Sequence, residues 1–92
     1  MQKLNPALRE KKRYILVRGK NLKENIEKSI LDYIGILGMA KASPKLIKSE
    51  KQDSVIVSIN REMLNQVKAS FLISPEKIEV LRVSGTIKGL GK

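Results

Sequence analysis

Apolar residues recur along the chain with two different periods, and each period marks one kind of element. Lys12-Arg13-Tyr14-Ile15-Leu16-Val17-Arg18 is rich in aromatic and aliphatic residues and has no breaker, which predicts a strand. Gly19 and Lys20 turn the chain, and Asn21 with Glu24 is spaced as a capping box in which Asn replaces Ser or Thr. Leu22, Ile26, Ile30, Tyr33, Ile34 and Leu37 then fall at three- and four-residue spacing, an amphipathic helix that Gly35 and Gly38 should end. Pro44 opens a second strand through Leu46 and Ile47, residues 49–53 are a polar turn, and 54–59 form a third strand. Asn60 is placed to cap a second helix with Leu64, Val67 and Phe71 as its buried stripe, and Ser74-Pro75 stops it. A last strand runs over 77–87, with Gly85 as the expected bulge.

The order is β-α-β-β-α-β. Two right-handed β-α-β halves of this kind interlock into an α+β, ferredoxin-like (RRM-like) two-layer sandwich, a four-stranded antiparallel sheet with two helices on one face. Residues 1–92 read as a single domain whose polar, basic first eleven residues, 1–11, form an arm. The first strand is apolar on both faces, Tyr14 and Leu16 on one and Ile15 and Val17 on the other. A sheet with one bare face should alternate more cleanly. The second face should therefore be covered, either by Leu4 and Leu8 of the arm or by a partner protein.

Composition narrows the chemistry. The absence of cysteine and histidine removes disulfides, the usual zinc sites, thiol nucleophiles and imidazole catalysis together. No apolar run approaches the ~20 residues of a membrane span, and the first residues carry no signal-peptide stretch. The reading is a soluble, cytoplasmic protein with no membrane partner and no cofactor of its own. Glu24, Glu27 and Asp32 read as solvated helix positions rather than an acid–base pair. Acylphosphatases share this fold and use an Arg after strand one with an Asn from strand three. Arg18 and Asn60 match by type, yet the glycine-rich phosphate cradle is missing, so an enzyme is disfavoured.

Charge changes the picture most. Nineteen Lys and Arg against nine Asp and Glu give a net charge of +10, the usual footprint of a nucleic-acid-binding domain. No helix sets lysines opposite one strongly apolar face, as membrane-surface binding requires. Residues 1–20 carry +6, 38–48 carry +3 and 82–92 carry +3, while 21–37 and 49–81 are each −1. The expected topology brings the three basic segments to one end of the sheet, a positive pole suited to a phosphate backbone. Strand three has no aromatic residue and strand one only Tyr14, so backbone recognition is favoured over readout by base stacking. Gly35-Ile36-Leu37-Gly38 matches the G-x-x-G of KH domains, but a plain helix end is the simpler reading.

Four segments resemble the smallest conserved protein subunit of archaeal and eukaryotic ribonuclease P, component two in archaeal naming. They are Lys12-Arg13-Tyr14-Ile15-Leu16-Val17, Gly35-Ile36-Leu37-Gly38-Met39-Ala40, Ile59-Asn60-Arg61-Glu62 and Leu81-Arg82-Val83-Ser84-Gly85-Thr86-Ile87-Lys88. The last is the most specific, being similar to the family's terminal strand. Many members continue into C-terminal helices, whereas four residues follow Lys88 here, which leaves the cover of the second sheet face open. Asn60-Arg61 also stands where members are often richer in arginine, implying fewer RNA contacts there.

The resemblance implies a non-catalytic subunit of the RNA-based endoribonuclease that removes the 5′ leader from precursor tRNA. The catalytic RNA performs cleavage with magnesium, and the protein acts on that RNA's catalytic domain together with a barrel-like subunit, component three. Precursor tRNA is a further partner within the holoenzyme, and a homodimer stays open. The RNA-contact candidates are Lys11, Lys12, Arg13, Lys41, Lys45, Arg61, Arg82 and Lys88. Ser84 and Thr86 either add hydrogen bonds to RNA or satisfy neighbouring strands. Ile36, Leu37 and Met39 either meet the protein partner or enter the protein's own core. The competing functional class is a generic ribonucleoprotein or ribosome-associated module that binds RNA backbone.

Overall fold

In the computed structural model, residues 12–49, 53–75 and 77–90 are described. They form β1 (Lys12–Arg18), α1 (Leu22–Ala42), β2 (Lys45–Lys48), β3 (Ser54–Asn60), a 3-10 turn (Arg61–Met63), α2 (Leu64–Ile73) and β4 (Glu79–Ser84). The strand order is β2-β3-β1-β4, and every neighbouring pair is antiparallel. This is the expected sandwich, since each β-α-β unit skips over one strand of the other. The arm, with Leu4, Leu8 and Lys11, lies outside the described residues.

Alternation along the strands divides the sheet into two faces. On one, Ile15 and Val17 of β1 and Val57 and Ile59 of β3 are fully buried. They pack against Leu22, Ile26 and Ile30 of α1 and Val67 and Phe71 of α2. On the other, Leu16 and Ile56 form a small second cluster with Leu90, and Tyr14 and Ile47 pack at its edge. Leu90 is 1% exposed. Among the described residues the cover of the second face is therefore a residue from the turn after β4.

The structure departs from the sequence reading in several local features. α1 does not end at Gly35 or Gly38 but continues to Ala42, with Gly35 at φ 76° and ψ −179° breaking its path. The helix resumes because Met39 and Ala42 are drawn into the core, and Gly38 lets the chain pass close to Ile34. It ends at Ser43, a left-handed residue whose N–H donates to the Met39 carbonyl, just before Pro44. Tyr33 and Leu37, expected on the buried stripe, are exposed beside and beyond the break.

Asn21 occupies the N-cap position but makes no capping hydrogen bond. The nearby Asn25 instead donates from its side chain to the Lys20 carbonyl at 2.9 Å. Asn60 likewise precedes the 3-10 turn without capping it. β4 stops at Ser84 rather than Ile87. The bulge lies at Leu81 rather than Gly85, because Leu16 faces Arg82 while the next residue, Val17, faces Val80.

Candidate nucleic-acid interface

Strand register decides where the cations go. Lys12 at the start of β1 faces Asn60 at the end of β3. One row further in, Lys45, Ser58, Tyr14 and Ser84 stand side by side across all four strands. The starts of β1 and β2 and the ends of β3 and β4 thus share one end of the sheet. The Asn60 side chain ties the last turn of α1 to that end by donating to the Lys41 carbonyl at 2.5 Å. The next residue, Arg61, opens the turn into α2. Arg13 donates to the Lys12 carbonyl at 2.8 Å and its guanidinium lies beside Gly85, where the turn carrying Lys88 begins.

Lys12, Arg13, Lys41, Lys45 and Arg61 therefore come to one end, as the topology predicted, while Lys88 lies in the turn after β4 that folds back over the sheet. Lys41, Lys45, Arg61 and Lys88 are exposed, and Lys12 and Arg13 are half-buried. Among the described residues no carboxylate pairs with Lys12, Lys41, Lys45, Arg61 or Lys88. The opposite end is mixed in sign. There Arg18 pairs with Glu79 at 2.9 Å, and the Gly19 N–H donates to the Asp53 carbonyl at 2.9 Å.

Three other candidates sit differently. Arg82 lies in the middle of the open face opposite Leu16, and one guanidinium nitrogen is 3.4 Å from the Gly89 carbonyl. The Ser84 hydroxyl accepts from the Thr86 N–H at 3.2 Å, and the Thr86 hydroxyl accepts from the Gly89 N–H at 3.1 Å. The Leu90 N–H closes the turn on the Ile87 carbonyl at 3.0 Å. Ser84 and Thr86 thus build the turn that seats Leu90. A Cβ on Gly89 would meet the Ser84 hydroxyl and force it off the Thr86 N–H, so glycine keeps this turn intact.

Of the partner-contact candidates, Ile36 is 77% and Leu37 80% exposed, whereas Met39 packs partly into the core. Leu72 and Ile73 at the end of α2 are also exposed. The stripe Leu64, Val67 and Phe71 accounted for one face of that helix, and the apolar pair outside the stripe was the signal for a second surface.

The enzyme-like pair does not form a site. Arg18 faces Ser54 while Asn60 faces Lys12, at opposite ends of the β1–β3 ladder. Six residues of strand separate them, about 20 Å. Gly35-Ile36-Leu37-Gly38 lies within α1 rather than in a loop between packed helices. Among the described residues no three acidic side chains cluster as metal ligands, and no helix is long and apolar enough to cross a membrane.

No protein-family model matches the chain. Individual relatives do match along nearly its whole length. The chain is 37% identical to ribonuclease P protein component 2 of Pyrococcus furiosus, covering 95% of this chain and 85% of that protein. It is 35% identical to the component 2 protein of Methanocaldococcus jannaschii, covering 96% and 75%. With that of Thermococcus gammatolerans it shares 34% identity over 95% and 85%.

Proposed function

The chain belongs to the ribonuclease P protein component 2 family, and on that premise we propose that it binds and stabilises the catalytic RNA of ribonuclease P. The observation that carries this reading is the gathering of Lys12, Arg13, Lys41, Lys45 and Arg61 at one end of the sheet. A folded catalytic RNA packs phosphates closely. Cations gathered at one end of a rigid fold neutralise several of those phosphates at once.

In this reading the protein supplies no catalytic group. The RNA, with magnesium, removes the 5′ leader from precursor tRNA, and the protein lowers the magnesium the RNA needs to fold. The exposed Ile36 and Leu37, carried on α1 just beyond the Gly35 break, are the surface offered to a barrel-like protein subunit, component three. Met39, the third candidate, packs partly into the protein's own core.

Reconstitution tests the reading. Adding the protein with its partner subunit to ribonuclease P RNA at low magnesium should restore cleavage of precursor tRNA. Cleavage that stays the same with and without the protein would overturn it.

A further inference from the structure

The open face of the sheet is ordered in rows. At the far end stand Ser54, Arg18 and Glu79, the last two paired with each other. Next come Ile47, Ile56 and Leu16 with Arg82, the apolar strip under Leu90. Then comes the row Lys45, Ser58, Tyr14 and Ser84, and beyond it Lys12 and Asn60. Leu90 seats on Leu16 and Ile56, so it covers the second row and leaves the third at its rim. Tyr14 packs against the edge of that cluster and keeps part of its surface open.

Backbone contacts still carry recognition, and beside them we propose that the row around Tyr14 takes one unpaired nucleotide of RNA whatever its base, stacked on the Tyr14 ring with its phosphate held by Lys12 and Lys45. This rests on the RNA-binding reading above and adds a ligand class to it. Tyr14 is flanked across the sheet by two serines, Ser58, which is itself buried, and the half-buried Ser84, and the ring stands taller than either. Lys12 is two residues away on the same strand, about 7 Å, and Lys45 two strands away, about 10 Å. No carboxylate lies on these two rows, since the one acidic residue of this face among the described strands is Glu79, held by Arg18 at the far end. An aromatic ring beside cations that pair with no carboxylate among the described residues matches a base with its phosphate. Inside a duplex each base face is already stacked on its neighbours, so the ring favours an unpaired base and the ligand is single-stranded.

The test compares a short oligoadenylate carrying 2-aminopurine with an RNA duplex of equal length, each titrated with the full chain. Tyr14→Leu keeps apolar volume beside Leu16 and removes the aromatic face. It should weaken oligoadenylate binding roughly tenfold, the order expected for loss of one stacked base, and leave duplex binding unchanged. Tyr14→Phe should bind both as wild type does. Quenching of 2-aminopurine should accompany binding by wild type and Tyr14→Phe and be lost with Tyr14→Leu. Thermal melting checks that both variants fold.

Equal weakening of both RNAs, or no weakening of either, overturns the proposal. So does loss of binding to the protein partner with both RNAs unaffected, which would assign the row to a protein contact. Duplex binding without oligoadenylate binding sinks this proposal alone. Failure of wild type to bind either RNA sinks the RNA-binding reading instead.

Discussion

The helix side of the sheet collects Ile15, Val17, Val57 and Ile59 under two helices, whereas among the described residues the open side buries Leu16 and Ile56 under Leu90 of the turn after β4. The same two central strands supply both faces. The helix side is filled from α1, α2, Met63 of the 3-10 turn and Ile78 just before β4, so its burial is shared among many contacts. The open side depends on a turn held by the Ser84 and Thr86 hydroxyls and on the absence of a side chain at Gly89. Stability is thus concentrated on one face, while the other stays thin enough to carry Tyr14, Lys45 and Arg82 at its surface. The domain's small size makes this division necessary, because a chain of this length has apolar residues for one full core only.

The difference can be broken or sharpened by substitution. Phe71→Ala removes the largest fully buried side chain of the main core and should cost about 3–5 kcal/mol in urea unfolding. Leu90→Ala should cost about 2 kcal/mol, at the low end for a buried leucine, because a surface turn can partly collapse onto Leu16. A loss as large as that of Phe71→Ala would erase the distinction between the faces. Hydrogen exchange should localise the Leu90→Ala effect to β4 and the turn, leaving α1 and α2 amides as protected as before.

Smaller effects separate the two ends of the sheet. Arg61→Ala should leave unfolding free energy within about 0.5 kcal/mol of wild type. It should nevertheless lower the salt slope of RNA binding by about one phosphate contact. Arg18→Ala, at the mixed end, should change stability by at most about 1 kcal/mol, since its pair with Glu79 is half exposed, and should leave the salt slope unchanged. A slope that falls as much for Arg18→Ala as for Arg61→Ala would show that the RNA does not distinguish the ends.

Much of this was legible before any coordinates, and the misses have physical causes. The two-faced apolar pattern of Tyr14, Ile15, Leu16 and Val17 announced a second core, but nothing local pointed to Leu90 as its cover. Leu90 stands between two glycines after a strand has ended, where periodicity carries no signal. Gly35 and Gly38 read as helix stops because propensity favours stopping, yet burial of Met39 and Ala42 outweighs a cost of about 1 kcal/mol per glycine. Ser84 and Thr86 are acceptors and donors in any setting, so only the turn geometry shows that they serve the fold. Arg18 and Asn60 have the right chemistry for a phosphate-handling pair and the wrong register.

The sequence by itself determined the order of elements, the net charge and the segments that carry it, because side-chain period and charge are properties of neighbouring residues. It also determined family membership, through matches running along nearly the whole chain. Only the tertiary structure decided which cations share an end, which residue covers the second face and which hydroxyls are already engaged. These depend on strand order and register, which bring Lys12 beside Asn60 and Leu90 onto Leu16. Residues so far apart in the chain meet only once the sheet has closed.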